Sequence, residues 1–244
     1  MYQKLIFKRR GEFIHTPDGF ITSWICVLLL IVSLGFLAYA FYDARKWIDK
    51  KKAGLMSLLA AGIFAFQMLN FPVAQGTSGH FIGAALAAIL ICPAAAILVM
   101  AAVLLIQGLV FADGGFLSLG LNIFNMGIIT AYVSYYTYKS LENRNKWLAY
   151  SLASWLSVMA AAFVAAIEFG IGGAANLVDS LKAMLSVHVF IGIGEALMTV
   201  AILYYFKNVY LINVKDKNIP KYVAVSIIGA FAIASFALPF ASNA

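Results

Sequence analysis

The sequence predicts an all-α, polytopic helical membrane protein. It should carry about seven to eight membrane segments and a broken or re-entrant region near the outer face. Three observations lead there. Of 244 residues, 64% are hydrophobic and only 11% charged, with a mean hydropathy of +0.93; a water-soluble domain carries roughly a quarter charged residues. The apolar residues form continuous Ala-, Leu- and Ile-rich runs, not the short alternating segments of a membrane β-barrel. Most basic residues sit in short loops between those runs, where the positive-inside bias puts them. The net charge of +7 therefore speaks for a membrane and not for nucleic acid.

Residues 1–13, MYQKLIFKRRGEF, form a basic lead with Lys4, Lys8, Arg9 and Arg10, and lack the apolar region of a secretory signal. Residues 14–20, IHTPDGF, contain the turn signal Pro17-Asp18-Gly19. The first span is expected at 20–42 and the second at 54–69. Next comes Gln67–His80, QMLNFPVAQGTSGH. It is uncharged yet polar, and Pro72, Gly76 and Gly79 interrupt regular structure. In a membrane, irregular backbone survives only when buried in protein or lining a wet cavity. This stretch therefore predicts one wall of a small-ligand site. The apolar run Phe81–Phe111 is broken at Pro93, and its halves are short against the roughly 20 residues a span needs. Further spans are expected at 117–138, 147–169, 187–206 and 221–241.

Loops 43–52, 139–146 and 207–221 hold twelve of the seventeen Lys and Arg, whereas 70–80, 112–116 and 170–186 hold only Lys182. With the basic loops inside, the chain from 81 to 111 must go in and come back. That arrangement places eight segments, both termini outside, and the polar stretch and IHTPDGF on one outer face. The basic lead runs against an outer N-terminus, so it is removed, is tolerated by a first span that does not dominate topology, or is not part of the native mature chain.

The chain has three histidines, His15, His80 and His188. There is no HExxH pair and no GxxxxGK[ST] phosphate loop, which argues against a zincin-type protease and against ATP hydrolysis by that route. His15 and His80 lie beside Pro/Gly breaks, and such residues in a membrane protein mark function. His188 divides evenly between an interior hydrogen-bonded residue and a functional one. Glu168 and Glu195 fall in apolar runs, so each needs a partner inside the bundle; helix-packing glue is the plainer account of both. Asp113 reads as a turn residue, and Asn122 and Asn125 as packing contacts or supports of a site. The glycines of IGIGEA admit a close backbone. Cys26 and Cys92 read as inert core residues. Small residues four apart, Ala61–Ala65 and Ala84–Ala88, suit internal helix packing or a partner subunit.

Four blocks in order, HTPDGF, NFPVAQGTSGHFIGAALAAIL, LIQGLVFADGGFLSLGLNIFNMG and VHVFIGIGEALMTV, resemble the substrate-capture (S) component of energy-coupling-factor (ECF) cobalt and nickel importers, the CbiM/NikM family. The resemblance covers 14–206 as a metal-capture membrane domain. Residues 207–244 then form a loop plus an extra C-terminal helix, similar to one that some members carry or obtain from a small CbiN/NikN-like companion.

The resemblance implies a helical bundle in the cell membrane with no resident cofactor and no catalysis. It captures Co2+ or Ni2+ at the outer face through nitrogen ligands. By motif these are the amine of Ile14, the backbone nitrogen and imidazole of His15, and the imidazole of His80. Asn70, Gln75, Thr77, Ser78 and His188 are candidates for orienting them. Four nitrogens in a plane suit Ni(II) or Cu(II), and Co(II) is also accommodated. The implied partners are a transmembrane coupling (T) subunit and two ATPase subunits. The family usually begins at the Met before this histidine, where this chain has Ile14 preceded by thirteen residues. An Ile14 amine requires processing just before it or translation starting there; with the lead retained, the site differs and the amine–amide chelate is lost. Two other readings compete: capture of an organic micronutrient by the same kind of machinery, and a b-type haem redox protein. Haem requires paired histidines at matched depth on neighbouring helices, and two of the three here lie in loop-like segments.

Overall fold

The computed structural model describes residues 15–68, 71–73 and 77–206. The lead 1–13, Ile14, Asn70, Gln75 and the segment 207–244 with its expected last helix lie outside the described residues.

Apolar runs become helices, and capping residues set their starts. Helix α1, Ser23–Trp47, exposes Trp24, Ile31, Leu34 and Phe41 along its length. Asp49 then caps α2, Lys50–Gln67, its carboxylate accepting the Lys52 N–H at 2.7 Å. The polar stretch forms a two-stranded antiparallel ribbon, β1 Phe71–Val73 and β2 Thr77–Gly79, with Phe71 opposite Gly79 and Val73 opposite Thr77. Thr77 and Ser78 thus lie on the strand that leads into His80.

Helix α3, Ala84–Leu90, is a seven-residue piece. Pro93 stands at the first turn of α4, Pro93–Val110, where its missing N–H costs nothing. Next, α5 (Leu119–Asn122) runs through a π-helical stretch, Ile123–Ile129, into α6, Thr130–Leu141. There the Thr130 hydroxyl donates to the Met126 carbonyl. Helix α7, Lys146–Ile171, is capped by Asn145, and α8, Leu177–Tyr205, by Asn176. Alanine-rich faces of α3 and α4 form the centre of the core, with Ala84, Ala87, Ala88, Ala95, Ala96 and Met100 fully buried.

The Ala84–Ala88 face is internal packing, as one of its two readings had it, while Ala61 is exposed and Ala65 half-buried. Cys26 is a core residue. Cys92 is only half-buried, and its sulfur accepts the Ala95 N–H at the start of α4.

Four described helices are long and apolar enough to cross a membrane: α1, α4, α7 and α8. Among the described residues this does not confirm the expectation of seven to eight segments. The run 81–111 breaks at Pro93, and the seven residues of α3 rise only about 10 Å. The run 117–138 is helical from Leu119 to Leu141, with the π-helical stretch inside it. Helix α2 begins in Lys50, Lys51 and Lys52. Nor does a re-entrant segment find support: among the described residues the polar stretch forms a two-stranded ribbon.

Candidate metal centre

The beginning of the described chain is an arm that crosses the bundle end. Pro17-Asp18-Gly19 makes the turn expected of it, with Gly19 at φ +80° and the Phe20 N–H reaching the Pro17 carbonyl at 3.4 Å. The arm docks on the FADGGFLS loop between α4 and α5. The Thr16 carbonyl accepts from the Gly115 N–H at 3.2 Å, the Ser118 hydroxyl at 2.6 Å and the Asn122 amide at 3.3 Å. The Asp18 carboxylate accepts from the Ser118 N–H at 2.9 Å. Two glycines make this approach possible. Gly114 has φ +89°, and a Cβ there would lie 2.9 Å from His15 Cβ; one on Gly115 would lie 2.0 Å from Asp18 Oδ1. Asn122 is thus a support of this arm, one of its two expected roles.

That docking carries His15 to His80, 65 residues later in the chain. Their rings meet edge to face with centroids 5.2 Å apart. His15 is 5% exposed and His80 half-buried. Each ring has one nitrogen on a carbonyl-type oxygen: His15 Nε2 on Gln107 Oε1 at 2.9 Å, His80 Nδ1 on the Phe81 carbonyl at 3.0 Å. Such oxygens only accept, so these nitrogens carry the protons. The lone pairs are left on His15 Nδ1 and His80 Nε2. Nδ1 of His15 is buried without a hydrogen-bond partner. One nitrogen tied to an acceptor and the other presenting a lone pair is how protein histidines meet metals.

The electrostatics favour the same state. Burial lowers both imidazoles from the ordinary 6.5 to about 4, and for His80 the neighbouring His15 adds to the effect. The pair therefore stays neutral at physiological pH. Asp113, expected as a turn residue, instead brings its carboxylate to 4.0 Å from His15 Nε2. Its negative charge lies on the Nε2 side of the ring, away from the lone pair on Nδ1. Among the described residues, no three His, Cys, Asp or Glu side chains gather as a metal-binding group. The described side chains of this site offer two imidazoles.

The remaining expected residues divide. His188 lies on α8 with Nδ1 bonded to the Met184 carbonyl at 2.7 Å, within electrostatic range of His80. Glu168 finds its expected partner in Asn125, at 2.6 Å. Of the two IGIGEA glycines, Gly192 admits a side chain rather than a backbone, lying under Trp155, whose Nε1 donates to the Val189 carbonyl at 3.2 Å, and Gly194 faces open space. Gln107 and Ser118 escaped the sequence reading. The signal for Gln107 was available, as a lone amide inside an otherwise apolar run.

A family model described as "Cobalt uptake substrate-specific transmembrane region" matches residues 15–211. The chain belongs to the CbiM family. Among its relatives, a putative fused nickel transport protein NikMN of Archaeoglobus fulgidus is 38% identical over 231 residues, covering 94% of this chain and 77% of that one. A cobalt transport protein CbiM of Listeria seeligeri is 30% identical over 235 residues, covering 92% and 93%. The fold is similar to the crystal structure of a transition metal transporter at 32% identity, with a TM-score of 0.75 over 80% of this chain and 93% of that one. A truncated transition metal transporter gives a TM-score of 0.74, over 79% and 97%. Family membership and four membrane-length helices together make this CbiM-family chain a membrane protein.

Proposed function

We propose that this chain is the substrate-capture component of an ATP-driven, ECF-type importer, taking Co2+ or Ni2+ at the outer face of the cell membrane. The observation that carries the reading is the His15–His80 pair. Two neutral imidazoles from distant parts of the chain are held edge to face, their protons committed to Gln107 and Phe81 and their lone pairs uncommitted. In a mature chain beginning at Ile14, the amine and the His15 amide nitrogen complete four nitrogens, a set suited to these ions. Asp113 offsets part of the cation's charge. Asn70, Gln75, Thr77, Ser78 and His188 are the candidates for orienting the ligands.

The finer topology of seven to eight segments belongs to the same reading. The ends of α2 and α4 lie on one side, with the Phe64 and Phe111 rings 5.3 Å apart. At the other end of α4, Cys92 is in electrostatic range of Asp43 and Lys52. This supports a chain that crosses and returns between 81 and 111. The work of transport falls to a coupling subunit and two ATPases, with a small NikN-like companion suggested by the fused relatives. Binding alone cannot pump; the site must differ in affinity between two states.

The test is the metal content of protein purified from native membranes, with its N-terminus determined on the same sample. Wild type should hold Co or Ni, and both His80→Ala and His15→Ala should lose it. Metal retained in His80→Ala would refute the proposal.

A further inference from the structure

His80 directly follows β2 of the ribbon. What fixes it comes from two distant helices. On α8, the Glu195 carboxylate is 2% exposed and accepts two backbone hydrogen bonds, from Ile82 N–H and Gly83 N–H, each 2.8 Å. On α2, the fully buried Gln67 amide donates to the Ile82 carbonyl at 2.8 Å. The peptide groups two and three residues after His80 are thus gripped on both faces. Gly83 permits the turn: its φ is +83°, and a Cβ there would lie 2.7 Å from Ile63 Cγ1.

A carboxylate is a costly way to hold a helix against a turn in a membrane interior. Helix glue alone would be served by a serine or an asparagine. What the carboxylate does is accept from two adjacent N–H groups with one planar head, which sets both position and orientation of the turn. The register of α8 is itself pinned one turn earlier by Trp155 against Gly192 and the Val189 carbonyl. Rotating α8 by one residue, about 100°, would carry Glu195 away from both amides.

We infer that Glu195 is the positioning residue of the metal site: from α8 it latches the Ile82–Gly83 turn, and so holds His80 in its ligating pose, with Gln67 as the second clasp. This rests on the reading of His80 as a metal ligand. Its consequence is that the position of α8, not the ribbon's own structure, decides whether the second imidazole is presented. Glu195→Gln is the discriminating change. A carboxamide keeps the size but has one acceptor oxygen, and it turns an NH2 toward a backbone donor, leaving a buried N–H unpaired.

The experiment uses the full chain from native membranes, stripped of metal and titrated with Ni2+, with Cu2+ as an electron paramagnetic resonance probe that counts nitrogen ligands. Glu195→Gln should keep its helical circular dichroism and bind Ni2+ on the order of 10- to 100-fold more weakly. It should show one nitrogen fewer around Cu2+, and lose hydrogen-exchange protection at the Ile82 and Gly83 amides. Gln67→Met, isosteric and uncharged, should move all three readouts the same way by less, and carries the test if Glu195→Gln does not fold. Wild-type Ni2+ affinity and a wild-type nitrogen count in the folded variants would overturn the latch, provided His80→Ala has lost the metal. His80→Ala binding like wild type would overturn the metal-site reading beneath it, and the latch with it.

Discussion

Gly115→Ala puts a single methyl group between the arm that carries His15 and the loop that receives it. The new Cβ would lie 2.0 Å from Asp18 Oδ1, 2.3 Å from the Asp18 backbone nitrogen and 2.4 Å from Asp18 Cγ. The carboxylate could swing aside; the backbone nitrogen could not. Ordinary contact begins at 3.4 Å, so the arm must withdraw by about 1 Å. Withdrawal weakens the bonds from Gly115 N–H and Ser118 Oγ to the Thr16 carbonyl and from Ser118 N–H to Asp18. A bond to a charged acceptor is worth about 1.5–3 kcal/mol and a neutral one about 1, so a stability loss of about 2–4 kcal/mol follows. The effect on metal is larger. A metal–ligand distance tolerates only about 0.2 Å, and His15 lies three residues from the clash. The variant should fold, melt several degrees lower, and bind Ni2+ at least tenfold more weakly by calorimetric titration. A folded Gly115→Ala with wild-type affinity would refute the claim that this loop sets the position of His15.

Other perturbations separate the site from the scaffold. Gln107→Leu removes the acceptor that fixes the His15 tautomer; Ni2+ affinity should fall about 10- to 100-fold, with about 1–3 kcal/mol of stability lost because the buried imidazole N–H is left unpaired. Gly120→Ala presses α5 on α1: its Cβ would lie 2.3 Å from Leu30 Cα, so it should cost about 1–3 kcal/mol of stability, read in the melting temperature. Metal-free protein should lose stability in acid. Burial holds His15 near 4 when folded, against 6.5 ordinarily, so the unfolded chain binds the extra proton between those values. This contribution is fully present above about pH 6.5 and is lost as pH falls to 4, by about 3 kcal/mol. Melting in detergent at pH 7, 5.5 and 4 checks it; a flat profile would contradict the burial of His15.

The broad architecture was open to reading because it follows from local patterns. Continuous apolar runs became α1, α4, α7 and α8. Pro93 broke the run it was expected to break, and the Pro-Asp-Gly turn formed where its residues require one. Boundaries drifted where polar residues start a helix. Helix α8 begins at Leu177 under the Asn176 cap, ten residues before the apolar run expected at 187, because Asp179 and Lys182 sit in its early turns. The site was half legible. His15 and His80 stood out as polar residues beside breaks. Their partners did not, since partnership is set by tertiary approach. Gln107 is an unremarked amide in an apolar helix, Asp113 passed as a turn residue, and Glu195 as helix glue. Nothing local to these residues says that they meet chain from a hundred positions away.

The central claim is that two imidazoles 65 residues apart in the chain, His15 and His80, bind one transition metal ion. X-ray absorption at the nickel or cobalt edge, on the full chain from native membranes, tests it most directly. The account predicts a nitrogen-rich first shell at about 2 Å, with the outer-shell scattering of two imidazole rings and no sulfur. An oxygen-only shell without imidazole scattering would contradict it.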